Sequence, residues 1–397
     1  MSRELNNKKN IFGITNICML VCFFSNISYL PYFTTSGWTQ YMSYPVWGLL
    51  IVVLFFYRSL YINRKDSIFL VIGMLVCILF FALEILTGKN YFESLLTRCI
   101  IIALVIWLVG SMVASMGESH FDENKIFGAY IVSAMVLSVV VYFTYLRGQD
   151  LSSSLYVYSS KNETAFINVT AIIMLLFIEK KGKRVHDFAK IVLVSFFIFV
   201  IAMMRCRSML ISAVLIVSVY LFTKNYSKKI KFAIILGMIG LIFALQNEEI
   251  YDTIINGIIF AARDSTNVNA LSSGRVDQID TALIKFSQNF FWGTGDTRTV
   301  DCFFVSVLMQ YGIFVGTLFI VLACYPCIWG LKYYRKTKSN LCMIMLLCSL
   351  SYLIGGLFEE NAPFGPGVRC YMSWFLFGYL RMIASNKYYK GGQYEKD

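Results

Sequence analysis

The sequence predicts an all-α polytopic membrane protein with about 12 transmembrane helices and one large external loop between the ninth and tenth spans. Of the 397 residues, 58% are hydrophobic and only 15% are charged, whereas a soluble domain carries about 25% charged residues. Many apolar runs are continuous and approach the roughly 20 residues that a membrane helix needs. Basic residues fall in short segments between these runs, which is the pattern that sets membrane topology.

Twelve apolar segments are the candidate spans. They divide the chain into helices one to nine (1–246), an external loop subdomain (247–301), and helices ten to twelve with a cytoplasmic tail (302–397). The sixth to ninth segments are short against the roughly 20 residues expected. The segments are residues 11–30, 44–62, 67–86, 95–116, 126–146, 164–178, 190–204, 208–223, 230–246, 303–331, 340–358 and 368–384.

The distribution of charge predicts the orientation. If the N-terminus is cytoplasmic, most of the 35 Lys and Arg residues fall on the cytoplasmic side of the twelve segments. Cytoplasmic loops of membrane proteins carry such an excess, so both termini are expected to be cytoplasmic. The net charge of +12 then reflects topology, and no nucleic acid partner is expected.

The predicted external loop runs from Asn247 to Asp301 and is 55 residues long. Loops of this length are usually functional or disordered. The stretch "VDQIDTALIKF" places four apolar residues on one face of a helix, namely Val276, Ile279, Leu283 and Phe286. The pattern predicts a small folded subdomain over the outer mouth of the helices, with an ordinary structured loop as the alternative.

Arg205 and Arg207 lie at the predicted external junction of two apolar runs, in "MMRCRSML". Two interpretations compete for them. Long basic side chains anchor helices at the membrane interface by extending toward water. The planar guanidinium also matches phosphate oxygens and stays charged. Because basic residues are depleted on the predicted outer side, a diphosphate-binding role is slightly favoured.

The loop holds further candidates. Arg275 follows "SSG" at a predicted helix start, where free amides and the helix dipole favour an anion. In "GTGDTRTVD", the two glycines predict a tight turn with exposed backbone, followed by Asp296, Arg298 and Asp301. A carboxylate close to an arginine can act as a general base or orient an acceptor hydroxyl. For any one of Asp296, Arg298 and Asp301, a simple salt bridge in the loop is the favoured interpretation.

Two other polar segments flank the predicted outer ends of spans. Lys161 and Asn162 open the sixth segment, and Glu359 lies between the last two segments. Each of these residues can also be explained as part of a helix cap. Four external junctions therefore carry clustered polar residues, which predicts that they converge on a single external site.

Four stretches of this sequence resemble a known family, in their order and spacing. The sequence is similar to the O-antigen or capsular polysaccharide polymerases (Wzy type) and the related O-antigen ligases. The ligases usually carry a histidine, commonly followed by asparagine, where Asp301 and Cys302 stand here, so the resemblance favours a polymerase. The stretches are "KNETA" (161–165), "RCRSMLISAVL" (205–215), "SGRVDQIDTALIKFSQNFFWGTG" (273–295) and "VDCFFVSVLMQYGIFVG" (300–316).

The resemblance implies a membrane glycosyltransferase in the bacterial cytoplasmic (inner) membrane. It would join undecaprenyl-diphosphate-linked oligosaccharide repeat units at the outer face, in O-antigen (lipopolysaccharide), capsule or exopolysaccharide synthesis. The expected partners are that substrate, the lipid bilayer, a chain-length regulator and a flippase. No cofactor is expected, and since no D-x-D-like motif is visible on the outer side, neither is a metal.

The resemblance also implies roles for individual residues. Fixed cations are needed because the leaving group is a diphosphate whose charge grows in the reaction. A carboxylate would take the proton of the acceptor hydroxyl. The substrate-binding candidates are Arg205, Arg207, Arg275, Arg298, Lys161 and Asn162, and the catalytic candidates are Asp301 and Glu359.

Two other functions remain as alternatives. An O-antigen ligase would transfer finished polymer to the lipid A core. A lipid-linked oligosaccharide flippase or transporter would have a similar composition, but such proteins place polar residues near mid-membrane, at broken helices. Here the predicted spans are nearly free of charge and the polar residues gather outside, which favours chemistry on a lipid head group.

Overall fold

In the parts of the chain that the computed structural model describes, the regular secondary structure is helical and no strand occurs. Long apolar helices make up most of it, and shorter helices lie between residues 247 and 300. The described residues are 2–56, 64–88, 95–116, 121–155, 158–178, 184–223, 247–263, 266–296, 300–365 and 370–391.

Fifteen helices are numbered here in chain order over these described ranges. Two of them continue into π-helical turns, α6 into Tyr142–Leu146 and α10 into Asp252–Ile259. The helices are α1 Ser2–Ile27, α2 Pro31–Thr35, α3 Thr39–Phe56, α4 Arg64–Thr87, α5 Leu95–Ser115, α6 Glu123–Val141, α7 Lys161–Phe177, α8 Arg184–Met203, α9 Arg207–Thr223, α10 Glu248–Tyr251, α11 Val268–Leu271, α12 Arg275–Gln288, α13 Phe303–Thr337, α14 Asn340–Gly355 and α15 Tyr371–Gly391.

Eleven of the twelve apolar segments predicted from the sequence coincide with helices, and the ninth (230–246) lies outside the described residues. Three described helical stretches are long and apolar enough to cross a membrane, namely Leu96–Ser115, Glu123–Leu146 and Phe303–Thr337, and six shorter ones are apolar. The chain is therefore a helical membrane protein. The full number of crossings stays a prediction.

Close backbone contact joins α5 to α15. A Cβ added at Gly110 would lie 2.1 Å from the carbonyl oxygen of Phe375, and one at Gly378 would lie 2.0 Å from that of Trp107. Ser111 Oγ donates to the Gly378 carbonyl at 3.2 Å. Small residues allow the two helices to approach this closely. The resulting van der Waals packing stabilises their association inside a membrane, where no hydrophobic driving force acts between helices.

Helix α7 is the centre of the bundle and packs against α6, α8, α9 and α14. Every residue from Thr164 to Phe177 is buried. Its polar side chains make hydrogen bonds inside the bundle: Asn168 Oδ1 accepts from Ser138 Oγ at 2.8 Å, and Thr170 Oγ1 lies 2.5 Å from Tyr352 Oη, although Asn168 Nδ2 has no partner among the described residues. Paired polar groups fix the register of neighbouring helices, because an unpaired one is costly in an apolar interior.

The long helix α13 breaks at Gly312, whose φ of 74° is not helical. The loop segment before it pairs with the backbone that the break exposes. Thr294 N donates to Met309 O at 2.8 Å, and Ile313 N donates to Phe290 O at 2.8 Å. The predicted turn is present at Gly293 (φ 71°), but the prediction that its backbone is exposed is wrong, because Gly293 is buried against the break.

The segment predicted to be an amphipathic helix is α12, which packs on α13. Its buried contacts come from Ala282, with Ile279 and Phe286 packed around it. The predicted face is therefore only partly correct. Val276 and Leu283 are 37% and 46% exposed, because the side that meets α13 is centred on Ala282.

Candidate functional site

A cavity of about 580 Å³ opens where the first residues of α7, α9 and α12 meet the segments before α13 and after α14. Four basic and two acidic residues line it together with an apolar group. Such a mixture suits a ligand with a charged head and an oily part. The lining residues are Lys161, Asn162, Arg205, Cys206, Arg207, Ser208, Ile211, Ser272, Ser273, Arg275, Val276, Ile279, Asp301, Leu357, Phe358 and Glu359.

Three helices begin at this cavity, and each begins with a basic residue. Lys161, Arg207 and Arg275 are the first residues of α7, α9 and α12. The N-terminus of a helix is the positive end of its dipole, so a cation there slightly destabilises the helix while an anion stabilises it. Three helices that begin with a basic residue surround this one cavity. Their side chains and their dipoles both favour negative charge there, which indicates an anion site.

Arg205 differs from the other basic residues of the cavity. It is 2% exposed, and its φ of 54° lies in the left-handed region. Its Nη1 donates to the carbonyl of Ser153, and its Nη2 donates to the carbonyl of Asp150 at 3.1 Å. Arg205 therefore fixes the segment between α6 and α7. Its side chain is buried, unlike an interfacial anchor, and it already bonds two backbone carbonyls.

Arg275 and Asp301 form an ion pair at the cavity. The Nε of Arg275 lies 3.3 Å from Oδ2 of Asp301, and the two side chains are 21% and 42% exposed. Gly274, with φ 78°, precedes Arg275 as the N-cap of α12, and Asp301 N donates to Gln278 Oε1 at 3.3 Å. The pair thus joins the start of α12 to the segment before α13.

Asn162 links three of the segments that line the cavity. Its Nδ2 donates to Oε1 of Glu359, in the segment after α14. Its Oδ1 accepts from Cys206 Sγ at 3.3 Å, in the turn between α8 and α9. Asn162 therefore does more than cap a helix, because its amide orients the Glu359 carboxylate within the cavity.

Glu360 is a buried carboxyl directly after Glu359, and it is 5% exposed. Its Oε1 accepts from Ser306 Oγ at 3.0 Å and from Gln310 Nε2 at 2.8 Å. Burial raises the pKa of Glu360 to about 7; the two hydrogen bonds oppose this rise, while the negative charges of Asp301 and Glu359 add to it. Glu360 thus ties the segment after α14 to the first half of α13.

The structure brings together seven of the eight residues proposed from the sequence, and Arg298 lies outside the described residues. Asp296, another candidate in the loop, pairs with Lys285 Nζ at 2.5 Å. The seven come from five places in the sequence, as the predicted convergence requires. They are Lys161, Asn162, Arg205, Arg207, Arg275, Asp301 and Glu359.

Glu360, Ser306 and Gln310 were not among the site residues predicted from the sequence. A signal was present, because Ser306 and Gln310 are polar residues spaced i, i+4 in an otherwise apolar span, and such a pair lies on one helix face. The carbonyls of Asp150 and Ser153 that bind Arg205 could not be found in this way, since backbone groups leave no mark in the sequence.

Comparison with known proteins does not assign a family. No protein-family model matches the chain, and no curated protein matches it. A function is therefore inferred from the residues of the cavity and the bundle that holds them.

Proposed function

We propose that the protein is a polysaccharide polymerase, a membrane glycosyltransferase that joins undecaprenyl-diphosphate-linked oligosaccharide repeat units. The reaction would take place at the outer face of the bacterial cytoplasmic membrane. The observation that carries the proposal is the meeting of three helix starts, headed by Lys161, Arg207 and Arg275, at one cavity that also holds Asp301 and Glu359. Fixed cations would bind the diphosphate, and a carboxylate would accept a proton.

The apolar residues of the cavity support a lipid-linked substrate. Ile211, Val276 and Ile279 line it beside the basic residues, together with Leu357 and Phe358. A soluble sugar nucleotide would gain little from such a wall, whereas the first isoprene units of a lipid carrier would be removed from water at about 25 cal/mol per Å² of apolar surface.

The proposed step forms one bond and breaks one bond. The acceptor hydroxyl oxygen attacks the anomeric carbon of the donor glycan, and the bond from that carbon to the diphosphate oxygen breaks. The electron pair leaves with the lipid diphosphate, and the hydroxyl proton passes to a carboxylate. Arg207 and Arg275 would stabilise the charge that grows on the leaving group, in an arrangement set before the reaction begins.

Asp301 is the preferred base because of its pairing with Arg275. A diphosphate carries more negative charge than a carboxylate and would compete for the guanidinium 3.3 Å away. Binding of the donor would then weaken the ion pair and free the Asp301 carboxylate to accept a proton from the acceptor hydroxyl. Glu359, held by Asn162, would be left to orient the acceptor.

The basic cluster at the end of the bundle away from the cavity supports a placement of the cavity at the outer face. The last turns of α13 and the residue after them, at the end of α7 away from the cavity, carry Lys332, Arg335, Lys336 and Lys338. Clustered basic residues mark the cytoplasmic side, so the cavity end would face outward, where the flipped lipid-linked repeat units lie.

Deletion of the gene and complementation with variants would test the proposal by the pattern of glycan on a gel. Wild type should restore a ladder, while Arg207→Ala and Arg275→Ala, expressed at equal levels, should leave single-repeat products. Arg147→Ala removes the same charge from an exposed residue outside the cavity and should give a full ladder. Full ladders from both cavity variants would refute the proposal.

The deletion strain separates the alternatives in the same experiment. Loss of a ligase would leave long polymer on the lipid carrier, because chain growth would continue without transfer to the lipid A core. Loss of a flippase would leave no repeat unit outside. Only loss of a polymerase gives single repeats that are exported and transferred.

A further inference from the structure

Four aromatic rings form an exposed group where the loop subdomain meets α13. They are Phe290, Phe291, Trp292 and Phe314, which are 44%, 57%, 63% and 67% exposed. Phe291 stacks on Phe314 with ring centroids 5.8 Å apart, and Phe290 meets Phe291 edge-on at 5.3 Å. We call this group the aromatic edge.

The aromatic edge is fixed to the bundle by its backbone. The 290–295 segment pairs with the break in α13, and a Cβ at Gly293 would lie 2.3 Å from the Gln310 carbonyl oxygen. A Cβ at Gly312 would lie 2.1 Å from the Phe291 carbonyl oxygen. With the two backbones in contact, the rings cannot turn inward without breaking the pairing. Their exposure is therefore built into the fold.

The position of the edge along α13 matches the thickness of a membrane. Lys332 opens the basic cluster at the far end of α13, about 20 residues from Gly312. At about 1.5 Å per residue this is roughly 30 Å, the thickness of the hydrocarbon core. If the basic cluster lies at one interface, the break and the aromatic edge lie at the other.

The surface of α13 between these two levels is apolar and exposed. Phe314, Val321 and Ile328 are 67%, 53% and 64% exposed, and their spacing of seven residues places them in one stripe along the helix. This stripe is part of the lipid-facing surface of a helix long enough to span the membrane. The aromatic edge continues it at the end that carries the loop subdomain.

We infer that the aromatic edge is a membrane-interface anchor, whose partner is the head-group region of the bilayer on the cavity side. Tryptophan favours this region because its ring is apolar while its N–H bonds water or head groups, and phenylalanine inserts its apolar ring at the boundary between head groups and acyl chains. The anchor holds the loop subdomain, and with it α12 and Arg275, at a fixed height over the lipid. The inference does not depend on the reaction that the cavity performs.

Quenching of Trp292 fluorescence by brominated lipids tests the anchor. The full-length protein is placed in lipid nanodiscs whose acyl chains carry bromine either near the glycerol or near the chain end. The Trp292 signal is the emission lost in Trp292→Phe, since the chain has six tryptophans. The same comparison, made in a protein that carries Phe291→Tyr, checks that a mild change in the aromatic edge leaves the Trp292 signal intact. The buried Trp374, 1% exposed, serves as the control through Trp374→Phe.

The anchor predicts that bromine near the glycerol removes most of the Trp292 emission, that bromine near the chain end removes less, and that aqueous iodide has little effect. The Trp374 emission should change little with any of these three quenchers. Strong quenching by iodide with none from lipid would overturn the inference. So would stronger quenching from the chain ends, which would place the edge in the hydrocarbon, or shielding from all three quenchers, which would indicate a protein cover.

Discussion

Arg275 and Asp301 meet across the cavity, with Nε of the arginine 3.3 Å from Oδ2 of the aspartate. Both side chains reach solvent, and an exposed ion pair contributes only about 0–1 kcal/mol to stability. The pair therefore does little to hold the fold. Its place among the basic residues at three helix starts suits a role in binding and chemistry instead.

Arg275→Ala should lower the rate of chain growth by about 100- to 1,000-fold, the usual cost of removing a donor that stabilises transition-state charge. Arg275→Lys should rescue poorly, because lysine lacks the planar fork that matches two phosphate oxygens. The rate is measured on purified protein, and the thermal unfolding midpoint should move little in both variants. A normal rate in Arg275→Ala would remove this residue from the diphosphate site.

Arg205 and Arg207 should respond differently to the same change. Arg205→Ala leaves the carbonyls of Asp150 and Ser153 without their donor and removes a large side chain that is 2% exposed, which leaves a cavity. Its unfolding midpoint in detergent should fall clearly. Arg207→Ala should lose activity with a smaller change in the midpoint. Equal midpoints for the two variants would contradict the structural role given to Arg205.

Glu360 should make the stability of the protein depend on pH. Its pKa rises from 4.5 to about 7, mainly through burial. The protonated carboxyl therefore contributes stability that is complete below about pH 4.5 and is lost as the pH rises through about 7. Above that range the buried charge costs on the order of 3 kcal/mol.

Glu360→Gln keeps an oxygen for Ser306 and Gln310 but cannot ionise. The variant should match wild type at pH 4 and have a higher unfolding midpoint at pH 8. Thermal unfolding in detergent across this range checks the result. If both proteins show the same pH dependence, Glu360 does not carry the buried proton.

Gly293→Ala should disrupt the loop subdomain. The new Cβ would lie 2.3 Å from the Gln310 carbonyl oxygen, and the backbone is held at a positive φ of 71°. The pairing with α13 would open, and protease cleavage within the loop should become faster. Gly128→Ala is the matched control, because nothing lies within 4 Å of its added Cβ and alanine favours the helix. Equal cleavage of both variants would contradict the pairing.

The sequence predicted the helices well because continuous apolar runs have few other stable forms in a membrane. The apolar run 303–331 contains a feature that its composition does not predict. Its apolar composition predicted one span, but the backbone breaks at Gly312 and accepts the 290–295 segment. A glycine in a span does not reveal what packs against it.

The candidate site was predictable as a set of residue types at helix ends. Clustered polar residues at the junctions of apolar runs led to Lys161, Arg207 and Arg275, and these meet at the cavity. Their partners were not predictable. The pairing of Asn162 with Glu359 joins residues far apart in the sequence, and only the packing of α7 beside α14 brings them together.

The central claim is that Arg207 and Arg275 stabilise a departing lipid diphosphate. Incubation of the purified protein with lipid-linked repeat units tests it most directly, with growth of the glycan and release of undecaprenyl diphosphate measured together in the presence of a metal chelator. Wild type should yield lengthened glycan with one diphosphate released per bond formed, and the Arg207→Ala, Arg275→Ala double variant should yield neither. Absence of product from active, folded wild type, or unchanged release by the double variant, would contradict the account.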